Sequence, residues 1–223
     1  MSQVNMPGMP VDDRVAVYID GFNLYFGIRA SGLGRYLWLD LCAFSNSLLK
    51  PSQKLVAVKY FTARISRPES KRQRQNTYLD ALGTLKADLF SIAYGNFQQN
   101  PAICQECGVQ SDVPNEKQTD VNIAVAMLTD AFKDRFDVAL LVSADSDLCP
   151  VVSSIRALFP KKRVVVAFPP GRASKELAGI ASAFSIGRAK LSQSQFPDVM
   201  RLSSGFELKK PAHWETEAYQ DPH

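Results

Sequence analysis

Two runs of this chain are apolar without interruption, and both stop on acid. Residues 15–19 (VAVYI) pass directly into Asp20-Gly21-Phe22-Asn23, and residues 138–142 (VALLV) pass into Ser143-Ala144-Asp145-Ser146-Asp147. A strand with one wet face alternates polar and apolar residues. A strand that does not alternate is covered on both faces, as in a parallel sheet sandwiched by helices. Open parallel sheets take their ligands in the crevice beyond the carboxyl ends of the strands, so Asp20, Asp145 and Asp147 are expected to meet there. Carboxylates gathered in one crevice repel one another unless they are protonated or share a cation, which points to a divalent-metal site.

The rest of the chain supplies partners for such a sheet. Residues 54–61 (KLVAVKYF), 89–97 and 162–168 (KRVVVAF) read as further strands, with a short sixth at 183–186. Helical stretches at 39–49, 68–86, 116–136, from about 146 onward and at 174–181 separate them. Strands alternating with helices imply an α/β fold with a doubly wound, mainly parallel sheet and right-handed crossovers. The length suits one domain. It divides into a leader at 1–13, the domain at 14–196 with a polar, Cys-containing insertion at 98–115, and a C-terminal extension at 197–223. The leader has no charged-then-apolar signal pattern and no run is long enough to span a bilayer, so the expected location is the cytoplasm, with no membrane partner.

The helix opening at Glu116 brings a fourth acid. At 100° per residue, Val121, Ala124, Val125, Met127, Leu128 and Ala131 share one arc, with Asn122, Asp130 and Lys133 opposite. Asp120 falls within the arc, near its edge, where an acid is costly unless it caps, pairs or binds something. Each acid also has a plainer reading. Asp120 suits a helix first turn, Asp145 suits an N-cap, and Asp20-Gly21 is ordinary turn chemistry.

These pieces resemble the NYN domain of the PIN-like nuclease superfamily, in its LabA-like branch. The matching segments are Asp20-Gly21-Phe22-Asn23, Glu116-Lys117-Gln118-Thr119-Asp120-Val121, Ser143-Ala144-Asp145-Ser146-Asp147, and Phe206-Glu207-Leu208-Lys209-Lys210-Pro211 with Trp214. The resemblance implies strand order 3-2-1-4-5 and Mg²⁺- or Mn²⁺-dependent ribonuclease activity. In it, Asp20, Asp120, Asp145 and Asp147 form the catalytic, metal-holding cluster, with Asn23 beside them. A catalytically silent nucleic-acid-binding or regulatory module is the alternative that the same resemblance allows. The glycine-rich turn of a dinucleotide site and a P-loop are both absent.

A polyanion such as RNA needs cations around those acids. The formal charge is +4; with the four aspartates set aside, 26 basic residues face 18 acids, leaving +8. Arg64, Arg67, Lys71, Arg72 and Arg74 cluster after the second strand. Lys117 precedes Asp120, and Arg172 and Lys175 follow the fifth strand. Cys104 and Cys107 have the spacing of half a zinc site; its other half is missing, which leaves Zn²⁺ shared across a homodimer, or a reduced pair.

Overall fold

The computed structural model describes residues 12–103, 110–202 and 205–214. Strands β1 (Asp13–Asp20), β2 (Gln53–Ala63), β3 (Phe90–Ile103), β4 (Gln110–Lys117), β5 (Val138–Val142), β6 (Arg163–Phe168) and β7 (Ser182–Ser185) form one sheet. Its order is β4-β3-β2-β1-β5-β6-β7. Every neighbouring pair is parallel except β3 with β4. The parallel strands thus run in the expected order, and β7 adds a sixth.

The sheet is buried on both sides because β1 alternates between two cores rather than between core and water. Val15, Val17 and Ile19 pack with α1 (Gly21–Ala30), α2 (Leu41–Ser47) and α3 (Glu69–Leu82) through Leu24, Ile28, Phe44, Leu79 and Leu82. Ala16 and Tyr18 face α4 (Thr119–Phe132), α5 (Cys149–Leu158) and α6 (Lys175–Ile180) through Ile123, Met127, Val152, Ile155 and Leu177. Each large aliphatic side chain so buried contributes roughly 1.5–3 kcal/mol. Past the short helix α7 (Arg188–Ser192), the strands β8 (Val199–Arg201) and β9 (Glu207–Lys209) pair into a small hairpin. Beyond it Trp214 is buried against Trp38 and Tyr78. The extension through Trp214 therefore joins the first core rather than trailing from it.

Three expectations change. Residues 98–115 were expected as a polar insertion; instead β3 runs on to Ile103 and β4 returns antiparallel, Asn96 opposite Lys117 and Ile103 opposite Gln110. Pro101 and Pro114 suit this placement, since proline is tolerated at a sheet edge. The helix expected from Glu116 begins at Thr119, because Glu116 and Lys117 belong to β4 and Gln118 takes a left-handed conformation, φ 79°. The face of that helix is also turned. Val121 and Val125 are exposed while Asp130, expected toward solvent, is buried.

Asp130 is buried with its partners. It accepts a hydrogen bond from the Tyr18 hydroxyl at 2.8 Å and pairs with Lys59 at 2.6 Å and Arg135 at 3.1 Å. Burial, reinforced by the Asp130 charge, pushes the Tyr18 hydroxyl far up from its ordinary value. Lys59 is thereby part of the scaffold. Among the described residues no helix is long and apolar enough to cross a membrane.

Candidate active site

The pairing of β1 with β5 sets Ile19 opposite Val142, so both strands run out side by side at Asp20 and Ser143. Asp20 ends β1 and caps α1. One of its carboxylate oxygens accepts from the Asn23 N–H at 2.9 Å, the other from the Ser143 hydroxyl at 2.9 Å. Ser143 Oγ accepts from the Asp145 N–H at 3.1 Å, and Asn23 Oδ1 accepts from the Ala144 N–H at 3.1 Å. Asp145 in turn caps the short turn that follows, accepting from the Asp147 N–H at 3.0 Å. Capping and site-building are therefore not rivals here, because the same carboxylates do both. Gly21 is more than a turn residue. A Cβ at this position would lie 2.7 Å from the Phe61 carbonyl and from the Tyr60 ring, so only glycine lets α1 start this close to β2.

Asp20, Asn23, Asp120 and Asp145 line one cleft of about 210 Å³, with Arg172 on its wall. Burial pushes the Asp20 carboxyl up to about 6, against the hydrogen bonds from Asn23 and Ser143, and the charges of Asp120 and Asp145 raise it further. Half-buried Asp120 is raised as well, first by burial and then by Asp145 and Asp147. The four acids therefore feel one another, although Asp147 stands exposed at the rim and does not line the cleft. Among the described residues no three acidic, histidine or cysteine side chains close around a common point as a metal cage. The donors offered to a cation are hard carboxylate oxygens. They suit an ion such as Mg²⁺, which keeps several waters and is held through one or two carboxylates.

One residue of the cleft escaped the sequence reading. Thr119, first in α4, is buried in the cleft wall, and among the described residues its hydroxyl has no hydrogen-bond partner. Among the described residues no side chain caps α4, and Gln118, Thr119 and Asp120 at its start line the cleft, which sets the positive end of the helix dipole against it. A threonine before an acid carries no mark of this in a sequence; only the fold strands its hydroxyl.

The basic residues divide. Lys71 and Arg74 line an aromatic pocket next to the cleft, and Arg172 lines the cleft itself. Arg64 lies over the Tyr94 ring, 4.8 Å from its centroid, and Arg72 pairs with Glu69 at 2.6 Å. Arg67 and Lys175 are exposed. The Lys117 side chain, and Cys104 and Cys107, lie outside the described residues. Cys42 and Cys149 are free thiols, each partly buried.

The NYN domain family profile matches residues 14–188. The chain is 28% identical over 179 residues to 6-hydroxy-3-succinoylpyridine 3-monooxygenase HspA of Pseudomonas putida, covering 65% of this chain and 56% of that protein, so it spans little more than half of that relative. A crystal structure of a Vibrio parahaemolyticus protein of unknown function superposes with a TM-score of 0.54 at 21% identity, over 82% of this chain and 98% of that one, and shares the fold. With the parallel sheet in the expected order and the matched segment running from β1 into α7, this chain belongs to the NYN domain family, within the PIN-like superfamily of nuclease-type folds.

Proposed function

We propose that this protein is a divalent-metal-dependent ribonuclease. The observation that carries the proposal is one cleft that brings together carboxylates from three separate elements, Asp20, Asp120 and Asp145, with a Thr119 hydroxyl that has no partner among the described residues. Acids alone would repel a phosphodiester. An unsatisfied donor, a helix N-terminus and Arg172 beside them are what an anion wants.

Asp20 and Asp145 would hold the ion directly. Asp120 would act through water, and Asp147 at the rim would orient the others. Bound Mg²⁺ or Mn²⁺ supplies Lewis-acid polarisation of the phosphate and a more acidic water. The chain's own work is positional. Ser143 and Asn23 hold the Asp20 carboxylate in one orientation. Asn23 also ties the β1 exit to the β5 exit through Ala144. Thr119 donates to a non-bridging phosphate oxygen, and Arg172 neutralises another.

The test is cleavage of single-stranded RNA by purified protein in Mn²⁺, against an EDTA control. Asp145→Asn is expected to lower the rate at least ~100-fold with an unchanged circular dichroism spectrum; full activity in that variant would remove Asp145 from the chemistry. Thr119→Val is expected to raise stability of the metal-free protein by ~1 kcal/mol in urea unfolding, since a buried hydroxyl without a partner is removed. The same substitution should slow single-turnover cleavage roughly tenfold. A variant both faster and less stable would show that the hydroxyl serves the fold.

A second reading has one observation in its favour. The aromatic-lined pocket beside the cleft would also suit a small heteroaromatic acid of the kind named for HspA. Turnover of a hydroxypyridine without cleavage of RNA would favour it. RNA binding without turnover of either substrate would favour the silent module.

A further inference from the structure

The acid cleft has a neighbour. Phe22 and Phe26 line both the cleft and a second, more apolar pocket between α1, β2 and α3. The far walls of that pocket are Tyr25, Tyr60, Tyr78 and Trp214, and Lys71 and Arg74 stand on its α3 side. Its aromatic walls are braced. Phe22 and Phe26 stack at 6.3 Å, Tyr25 meets Phe26 edge-on at 5.3 Å, and Tyr78 meets Trp214 edge-on at 5.7 Å. The Tyr78 hydroxyl donates to the Leu39 carbonyl at 2.9 Å, which holds its ring in place. Phe26 is nearly half exposed, 47%, although it sits between two cavities. What marks Phe26 is that it lines both cavities and still has surface to offer a ligand.

We propose that this pocket holds the base of the nucleotide next to the scissile phosphate, stacked on Phe26, with the following phosphate on Lys71 and Arg74. The assignment rests on the ribonuclease reading of the cleft and extends it to the substrate's recognition. The reasoning is periodic. A polynucleotide alternates phosphate, ring, phosphate along its length. The surface offers the same chemistries side by side: an acid cleft with a phosphate-seeking hydroxyl, and next to it an aromatic pocket with two cations in its wall. A free heteroaromatic acid would match the pocket and leave the cleft's donors unused. A base stacked on an aromatic face is bound in a sequence-tolerant way, because every base presents a π-face. The pocket should therefore favour an unpaired nucleotide, whose base can turn outward, over one held in a duplex.

The test separates this assignment from the reading it rests on. Metal-free protein in EDTA is titrated with adenosine and uridine 5′-monophosphates and, separately, with nicotinate, by calorimetry and by quenching of Trp214 fluorescence. Saturable nucleotide binding is expected. Phe26→Ala should weaken it about tenfold, in line with the cost of losing one stacking partner, and Phe26→Trp should restore it. Phe26 is exposed enough for both variants to fold. No saturable binding at millimolar nucleotide, equal binding by Phe26→Ala, or binding of nicotinate alone would each overturn the assignment. Nucleotide binding that depends on Phe26, in a protein that cleaves no RNA with Mn²⁺, would sink the ribonuclease reading and leave the pocket standing. Cleavage with binding indifferent to Phe26 would do the reverse.

Discussion

Asp20→Asn should make the metal-free protein more stable and destroy its RNA cleavage. The Asp20 carboxyl is buried beside Asp120 and Asp145, and its value rises from 3.8 to about 6. The folded state thus prefers the protonated acid. That preference is fully expressed below pH 3.8 and is lost as pH rises through about 6. Above pH 6 the native protein carries a buried carboxylate at a cost of ~3 kcal/mol, from about two units at 1.4 kcal/mol each. Asparagine can keep the oxygen that caps α1 and offer an N–H toward Ser143 Oγ, without the charge. In EDTA at pH 8 the variant is therefore expected to gain ~1–3 kcal/mol in urea unfolding. The difference between variant and native should vanish as the pH approaches 4. Added Mg²⁺ should raise the melting temperature of the native protein and move the variant much less, because the variant loses one of the two carboxylates proposed to hold the ion directly. Its cleavage rate should fall by ~1,000-fold or more, since removing a direct ligand disables both roles of the ion. A variant that is less stable at pH 8 than at pH 4, relative to native, would show that the charge is not the source of the strain.

Asp130→Ala is expected to be the most damaging single change away from the cleft. It strips the counter-charge from Lys59, which is only 22% exposed, and removes the acceptor of the buried Tyr18 hydroxyl. Breaking one side of a buried pair costs ~3–5 kcal/mol because the remaining charge stays desolvated. Replacing Asp130 and Lys59 together by leucine and methionine should recover most of that loss. Equal losses in the single and double variants would mean that the stranded Lys59 charge is not the source of the loss and would point to the Tyr18 hydroxyl, which loses its acceptor in both. Arg135 is more exposed and its bond to Asp130 should contribute less.

Asp130 also shows where a sequence stops being informative. Helix α4 buries Thr119, Ile123, Met127, Asp130 and Ala131. Val121 and Val125 pull a pattern-based reading toward the wrong face, because hydrophobicity is assigned residue by residue. The partners that make an acid acceptable in the core, Tyr18 and Lys59, lie far away in the chain. The strands behaved otherwise. Continuous apolar runs at 15–19 and 138–142 report burial on both faces without reference to anything distant, and both became central strands. The acids at their ends were legible for the same reason. Topology alone brings Asp20 beside Ser143 and Asp145. The β3–β4 hairpin was not legible, since an edge strand with prolines and polar residues has the composition of a loop. Thr119 and Phe26 were not legible either. Each owes its meaning to what surrounds it, and a helical aromatic reads as core until its exposure is known.

The bond from Ala144 to Asn23 ties the turn after β5 to the first turn of α1. With the Ser143–Asp20 bond beside it, the two strand exits are held to each other by the protein's own bonds before anything enters the slot. Accommodation then falls to the guest. On the proposed function, a supple single strand would settle into such a groove more readily than a stiff paired helix.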